Sequence, residues 1–206
     1  RAKYSFISYN GLRKEHIKTL TQNGTINPFD NKVVIIDEAH NFISRIVNKL
    51  KRKSAMVLDL YEFLLSATNC RIVLLSGTPI INYPNELGVM FNILRGYIYT
   101  YKFPLSVSST KKIDNEYFKK LFQKYAIYDY VDYNASNTTL TITRNPFGFV
   151  NRLKSGEYKG VKFDERGQIS NDTFVSFVAK KLEKLGLKVA SKNATVEQHK
   201  ALPDDI

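Results

Sequence analysis

Val33-Val34-Ile35-Ile36-Asp37-Glu38-Ala39-His40, followed by Leu74-Leu75-Ser76-Gly77-Thr78-Pro79, are the stretches on which the fold of this chain turns. Each is a short apolar run that breaks off abruptly into polar residues. Such runs read as parallel strands, apolar on both faces and buried. Their polar ends then lie at the carboxyl edge of the sheet, where open α/β folds place ligands. An Asp-Glu pair at that edge suits a magnesium nucleotide. Asp37 can hold the hydrated metal, and Glu38 can orient and deprotonate an attacking water.

Working outward, Phe42, Ile43, Ile46, Val47 and Leu50 recur at helical spacing after the first run. Met56, Leu60, Phe63 and Leu64 mark a second helix before the second run, and Leu87, Met90, Phe91 and Leu94 a third after it. Upstream, Tyr4–Tyr9 alternates like a strand, and Leu12–Leu20 reads as a short helix. Strands alternating with helices predict a parallel sheet with right-handed crossovers. The composition changes at Ser106–Lys112, which sets the expected boundary. Beyond it a helix carries Phe118, Leu121, Phe122 and Tyr125, and strands are expected near Ile127–Tyr133, Thr139–Arg144 and Tyr158–Phe163, with a hairpin turn at Asn134–Asn137. A longer helix, capped by Asn171 or Asp172 and stopped by Gly186, carries Phe174, Val178, Leu182 and Leu185, and a short strand Leu187–Ala190 follows. The pattern weakens from Ser191, and Leu202–Ile206 reads as a linker. The fold class expected is α/β: a partial parallel sheet with flanking helices over 1–105, then an α+β module with β-hairpins over 106–206.

Asp37-Glu38-Ala39-His40 resembles the DEAH box, motif II of superfamily II helicases and translocases. Ser76-Gly77-Thr78-Pro79 resembles their motif III. The likeness continues through Leu75–Asn82 and Pro84-Asn85-Glu86-Leu87, similar to the LSGTPIQN and EL phrasing of the chromatin-remodelling branch and of helicase-like ATPases of poxviruses and other large DNA viruses. It covers roughly residues 1–100. The resemblance implies the later half of a RecA-like domain, with ATP and Mg²⁺ as cofactors. It assigns Glu38 and Asp37 to catalysis, Asp37 meeting Mg²⁺ through water, and His40, Ser76, Gly77 and Thr78 to coupling between ATP and nucleic acid. Ser8, Tyr9 and Asn10 occupy the place of motif Ib, whose hydroxyl and backbone groups touch the nucleic-acid backbone without reading sequence.

The same family uses a phosphate-cradling loop ending in Gly-Lys-Ser/Thr, and this chain contains no such tripeptide. The expectation is therefore a segment holding half of an ATP site, silent in ATP turnover alone, with a second motor domain elsewhere in the protein. Nucleic acid is the expected partner, DNA rather than RNA, with the transcription machinery as a further one. The place is intracellular: host cytoplasm or virion if the source is viral. A rival reading is a helicase-derived scaffold or nucleic-acid clamp without catalysis. A third is an unrelated α/β enzyme using Asp37 and Glu38 for other phosphate chemistry.

Composition agrees with a phosphate-facing surface. The 206 residues carry 31 Lys/Arg against 19 Asp/Glu, net +12, with the excess in both halves of the chain. Lys49, Lys51, Arg52 and Lys53 form the densest basic cluster. Thr141–Phe149 mixes Arg144 with Phe147 and Phe149, which either stack on bases or fill the module's core. The single Cys70 excludes an internal disulfide and a Cys-based zinc site. No apolar run reaches the ~20 residues that span a bilayer, so no membrane partner is expected.

Overall fold

The computed structural model describes residues 4–51, 55–107, 113–123, 125–189 and 194–204. The chain divides into two compact units, Arg1–Tyr97 with Lys200–Ile206, and Ile98–His199. It is mixed α/β: a parallel strand pair with helices, consistent with a partial RecA-like fold, and a smaller module built on an antiparallel sheet.

In the first unit, β1 (Val33–Ile36) and β2 (Arg71–Leu74) pair in parallel, Val33 opposite Arg71 and Ile36 opposite Leu74. Between them run α2 (Ala39–Val47) and α3 (Met56–Ser66); α1 (Lys14–Leu20) precedes and α4 (Asn85–Arg95) follows. Val34, Ile36, Ile72 and Leu74 pack toward a core of Phe42, Ile43, Ile46, Leu60, Leu64, Val89 and Ile93. Burial on both faces of the strands is not observed: Val33, Ile35 and Val73 are exposed. The helices cover only one face, so alternate residues of each strand stay wet. The expected strand over Tyr4–Tyr9 does not form either. Residues 4–8 are without regular structure, and Tyr4 and Phe6 are exposed. A lone extended segment has no ladder to join and no stability as a strand.

Helix α4 exists where its apolar spacing predicts it, yet it is turned. Leu87, Phe91 and Leu94 are exposed, while Glu86, Val89, Asn92 and Ile93 are buried. Polar satisfaction sets this rotation. Asn92 Nδ2 donates to Leu202 O at 2.8 Å, Asp204 Oδ1 at 3.2 Å and Tyr61 Oη at 3.2 Å, and Leu202 N donates back to Asn92 Oδ1 at 2.9 Å. Tyr61 Oη donates to Asp204 Oδ1 at 2.9 Å. Burial pushes the Tyr61 phenol far above its ordinary range. Residues 202–204, expected as a linker, are thus pinned on the first unit.

In the second unit, β3 (Ile98–Val107) is the central strand. On one edge it pairs with β5 (Thr139–Arg144), which pairs with β4 (Tyr128–Asn134). On the other edge β9 (Thr195–His199) covers Ile98–Lys102 and β8 (Leu187–Val189) covers Leu105–Val107. Tyr101, Phe103, Leu105, Val131, Tyr133, Leu140 and Ile142 face Phe118 and Phe122 of α5 (Asn115–Gln123) and Phe174, Val178 and Leu182 of α6 (Asn171–Glu183). A separate hairpin pairs β6 (Phe149–Lys154) with β7 (Glu157–Phe163).

β3 runs through the boundary expected between 105 and 106, and the change of unit falls between Tyr97 and Ile98. Residues 108–112, which carried most of that expectation, lie outside the described residues. Pro104 disguises the strand. Leu105 N donates to Thr138 O on the β5 side, so the nitrogen of Pro104 points to the other edge. There the β9 pairing ends at Lys102 and the β8 pairing begins at Leu105. Proline therefore costs the ladder no bond. The cap of α6 is Ser170, whose Oγ accepts from Thr173 N at 3.1 Å. Asn171, one of the two expected caps, instead accepts from Tyr101 Oη at 2.7 Å and from Arg144 Nη1 at 2.8 Å.

Candidate functional site at the carboxyl edge of the parallel strands

The strands β1 and β2 end side by side, and their exits are stitched together. Leu75 N donates to Ile36 O, and Ala39 N donates to Leu75 O, both at 2.9 Å. Asp37 and Glu38 occupy the turn between β1 and α2, and both are exposed. Asp37 Oδ1 accepts from Glu38 N at 3.0 Å. Glu38 is the cap residue of α2 and stands in the left-handed region, φ 47° and ψ 49°. That conformation costs a residue with a Cβ about 1–2 kcal/mol. Held strain of this kind gathers at functional sites.

His40 Nδ1 lies 2.8 Å from Ser76 Oγ and 3.3 Å from Glu38 Oε2. Ser76 Oγ accepts from Thr78 N at 3.2 Å. A carboxylate, an imidazole and a hydroxyl thus form one chain from the end of β1 to the end of β2. Gly77 lies within that loop, and a Cβ placed on it would meet nothing within 4 Å.

The loop after Thr78 is anchored from beneath by Glu86, which is 1% exposed. Its Oε2 accepts from Ile81 N at 2.7 Å and Asn82 N at 3.1 Å. Asn82 Nδ2 reaches Ser44 Oγ of α2 at 2.8 Å. Burial works to raise the Glu86 carboxyl, but the Ile81 and Asn82 amides with Ser44 and the Asn82 side chain hold it below its ordinary value. The stability it contributes is complete above the unfolded carboxylate range, about pH 4, and is lost as pH falls through the lower folded value. Glu86→Gln is therefore expected to lower the thermal midpoint at pH 7, with the gap from the native chain closing toward pH 3. Melts across that range test it, and a gap independent of pH overturns it.

Tyr9 and Asn10 lie elsewhere, beside α2, and Ser8 is exposed. The Tyr9 ring stands 5.3 Å from that of Phe42, and the Arg45 guanidinium lies 5.8 Å from the Tyr9 centroid. Arg45 Nη1 donates to Tyr9 O at 3.4 Å. A cavity of ≈ 660 Å³ opens here, lined among others by Tyr9, Asn10, Asn41, Ser44, Arg45 and Lys49. Asn41 and Arg45 stand four residues apart on α2, the spacing of one helical face, and Lys49 follows just beyond its C-terminal end. That spacing is the signal for Arg45, which motif reading alone passes over. Lys51 is exposed, and Arg52 and Lys53 lie outside the described residues.

Part of the chain is similar to two proteins of Acanthamoeba polyphaga mimivirus. It is 47% identical over 73 residues to "Putative ATP-dependent RNA helicase R350", covering 32% of this chain and 9% of that protein. It is 30% identical over 95 residues to "Putative ATP-dependent RNA helicase L538", covering 46% of this chain and 18% of that protein. The chain thus spans less than a fifth of either curated relative. No family model and no solved structure matches it. The likeness supports a helicase-like relationship. The relatives' names speak of RNA, where DNA was expected. Among the described residues no helix is long and apolar enough to cross a membrane.

Proposed function

We propose that this chain is part of an ATP-dependent nucleic-acid translocase or helicase of the DEAH-bearing type, contributing residues that sense and hydrolyse ATP. The observation that carries the reading is the Glu38–His40–Ser76 chain of contacts joining two strand ends. It puts a carboxylate suited to proton transfer in line with a loop tied to α2. Asp37 and Glu38 fit a hydrated Mg²⁺: both are exposed, and such an ion keeps waters and phosphate oxygens beside one or two carboxylates. When bound, Mg²⁺ supplies charge neutralisation on the transferring phosphoryl group.

On this reading Asp37 holds the metal's water shell, and Glu38 accepts the proton of the attacking water. His40 hydrogen-bonds the Ser76 hydroxyl and so carries a change at Glu38 to the Ser76–Thr78 loop. The Asn82–Ser44 bond passes that change to α2, which bears Arg45 and leads to Lys49, with Tyr9 and Asn10 beside them. Those groups contact phosphate.

The test is ATP turnover by the intact protein and by this chain, each with duplex DNA, single-stranded DNA and RNA. The expected result is turnover by the intact protein, raised by at least one polymer, with this chain silent. An intact protein inert with every polymer overturns the motor and leaves the scaffold reading.

A further inference from the structure

Helix α4 holds two separate segments through polar side chains. Glu86, in its first turn, holds the backbone of Ile81 and Asn82. Asn92, near its other end, holds residues 202–204. Those residues follow β9 in the chain and belong with the first unit. Asn85, beside Glu86, donates from Nδ2 to Asp204 O at 3.2 Å. Asn85 and Asn92 stand seven residues apart, on one face of the helix. The segment therefore lies along α4, with Leu202 at Asn92 and the Asp204 carbonyl at Asn85.

The strap is held by polar bonds rather than by a core. Ala201, Leu202 and Pro203 are exposed, so little apolar burial keeps them in place. Its floor is buried: Asn92 is 0% and Tyr61 3% exposed. Both take partners from the strap. The Asn92 amide brackets the N–H and the carbonyl of Leu202, and Tyr61 Oη donates to Asp204 Oδ1. Lys200 Nζ meets Asp204 Oδ2 and stands 4.8 Å from the Tyr61 ring centroid. Segments with few buried apolar contacts open locally, at less than the cost of global unfolding.

We propose that α4 couples this strap to the Ser76–Asn82 loop, so that Asn92 and Asp204 are positioning residues for the carboxyl edge of the parallel strands. Coupling travels through rigid elements and the hydrogen-bond networks attached to them, and a helix is such an element. Lifting the strap removes the partners that set the rotation of α4. Asn92 then gains by turning toward water, and the same turn swings Glu86 away from the Ile81 and Asn82 amides. The loop that relaxes also bears Ser76, the partner of His40. A change in the chain just after β9 thus reaches the candidate site without passing through α2 or the strands. Its bearing on ATP turnover rests on the translocase reading; the coupling itself does not.

The experiment measures amide hydrogen exchange in the 206-residue chain, residue by residue and without nucleotide. Asp204→Ala should speed exchange at Ile81 and Asn82 roughly threefold or more. Leu202→Pro, which removes the N–H given to Asn92 Oδ1, should do the same. Asp204→Asn keeps an oxygen at Oδ1 and should stay near native. Arg71, whose amide donates to Lys32 O, and the amides of α2 should keep native rates in all three. Coupling is reciprocal, so Glu86→Gln should speed exchange at Leu202 by a similar factor. If Asp204→Ala frees the Leu202 amide while Ile81 and Asn82 keep native rates, the coupling is overturned and the strap is a local fastening. A rise shared equally by Arg71 and α2 also overturns it, as a general loss of stability. Neither outcome touches the translocase reading, whose own test is ATP turnover by the intact protein.

Discussion

Glu38→Gln in the intact protein is expected to lower ATP turnover by about a hundredfold to ten-thousandfold, the usual cost of removing a positioned base, while ATP binding stays near native. The substitution keeps the length and shape of the side chain and removes its ability to take a proton. Glu38 is exposed at the end of β1, so no buried partner is orphaned and the fold is unaffected. Its Oε2 lies 3.3 Å from His40 Nδ1, and glutamine can still meet that nitrogen. Turnover and binding should therefore separate: single-turnover hydrolysis falls, whereas equilibrium binding of a nucleotide analogue does not. Unchanged turnover sinks the role of Glu38. A parallel loss of binding assigns it to holding the nucleotide rather than to the proton transfer.

The parts legible in sequence are those whose local pattern and tertiary surroundings agree. The runs Val33–Ile36 and Arg71–Leu74 form strands where β-branched and apolar residues demand them, and they pair in parallel. Thr139–Arg144 is a strand with the bounds its alternation gives. The contact between His40 and Ser76 could be expected only through the motif resemblance, because 36 residues separate them. What stayed hidden was decided by polar groups and by neighbours. β3 hides behind Pro104, whose missing N–H matters only if one knows which edge is unpaired there. The rotation of α4 follows from buried Glu86 and Asn92, residues that an apolar tally counts as surface. β6 carries Asn151, Arg152 and Lys154, too polar for a strand signal, and forms because β7 pairs with it. Phe147 and Phe149, for which the sequence left stacking on bases and filling the core as alternatives, are both half-buried. The open aromatic residues, Tyr158 and Phe163, follow in the next strand.

Arg144→Met is expected to destabilise the second unit by roughly 1–3 kcal/mol. Arg144 is 7% exposed. Its Nη1 donates to Asn171 Oδ1 at 2.8 Å, and its Nη2 donates to Ile169 O and, at 3.5 Å, to Gly167 O. The guanidinium also lies 5.7 Å from the centroid of the Phe174 ring. One side chain thus ties the end of β5 to the start of α6 and to the segment before it. Methionine fills much of the same volume and so leaves little cavity. Its cost comes from one stranded acceptor: Ile169 O loses its charged donor, at about 1–3 kcal/mol for a group left unsatisfied, whereas Gly167 O keeps Gly148 N and Asn171 Oδ1 keeps Tyr101 Oη. Arg144→Lys should recover only part of this, because an ammonium cannot span the three acceptors as a planar fork does. Hydrogen exchange separates the two units. Amides of β5 and α6 should lose protection in the variant, while those of β1 and β2 keep theirs. Native protection in β5 and α6 would show the arginine to be dispensable. A loss shared equally by β1 and β2 would show that the two units unfold as one.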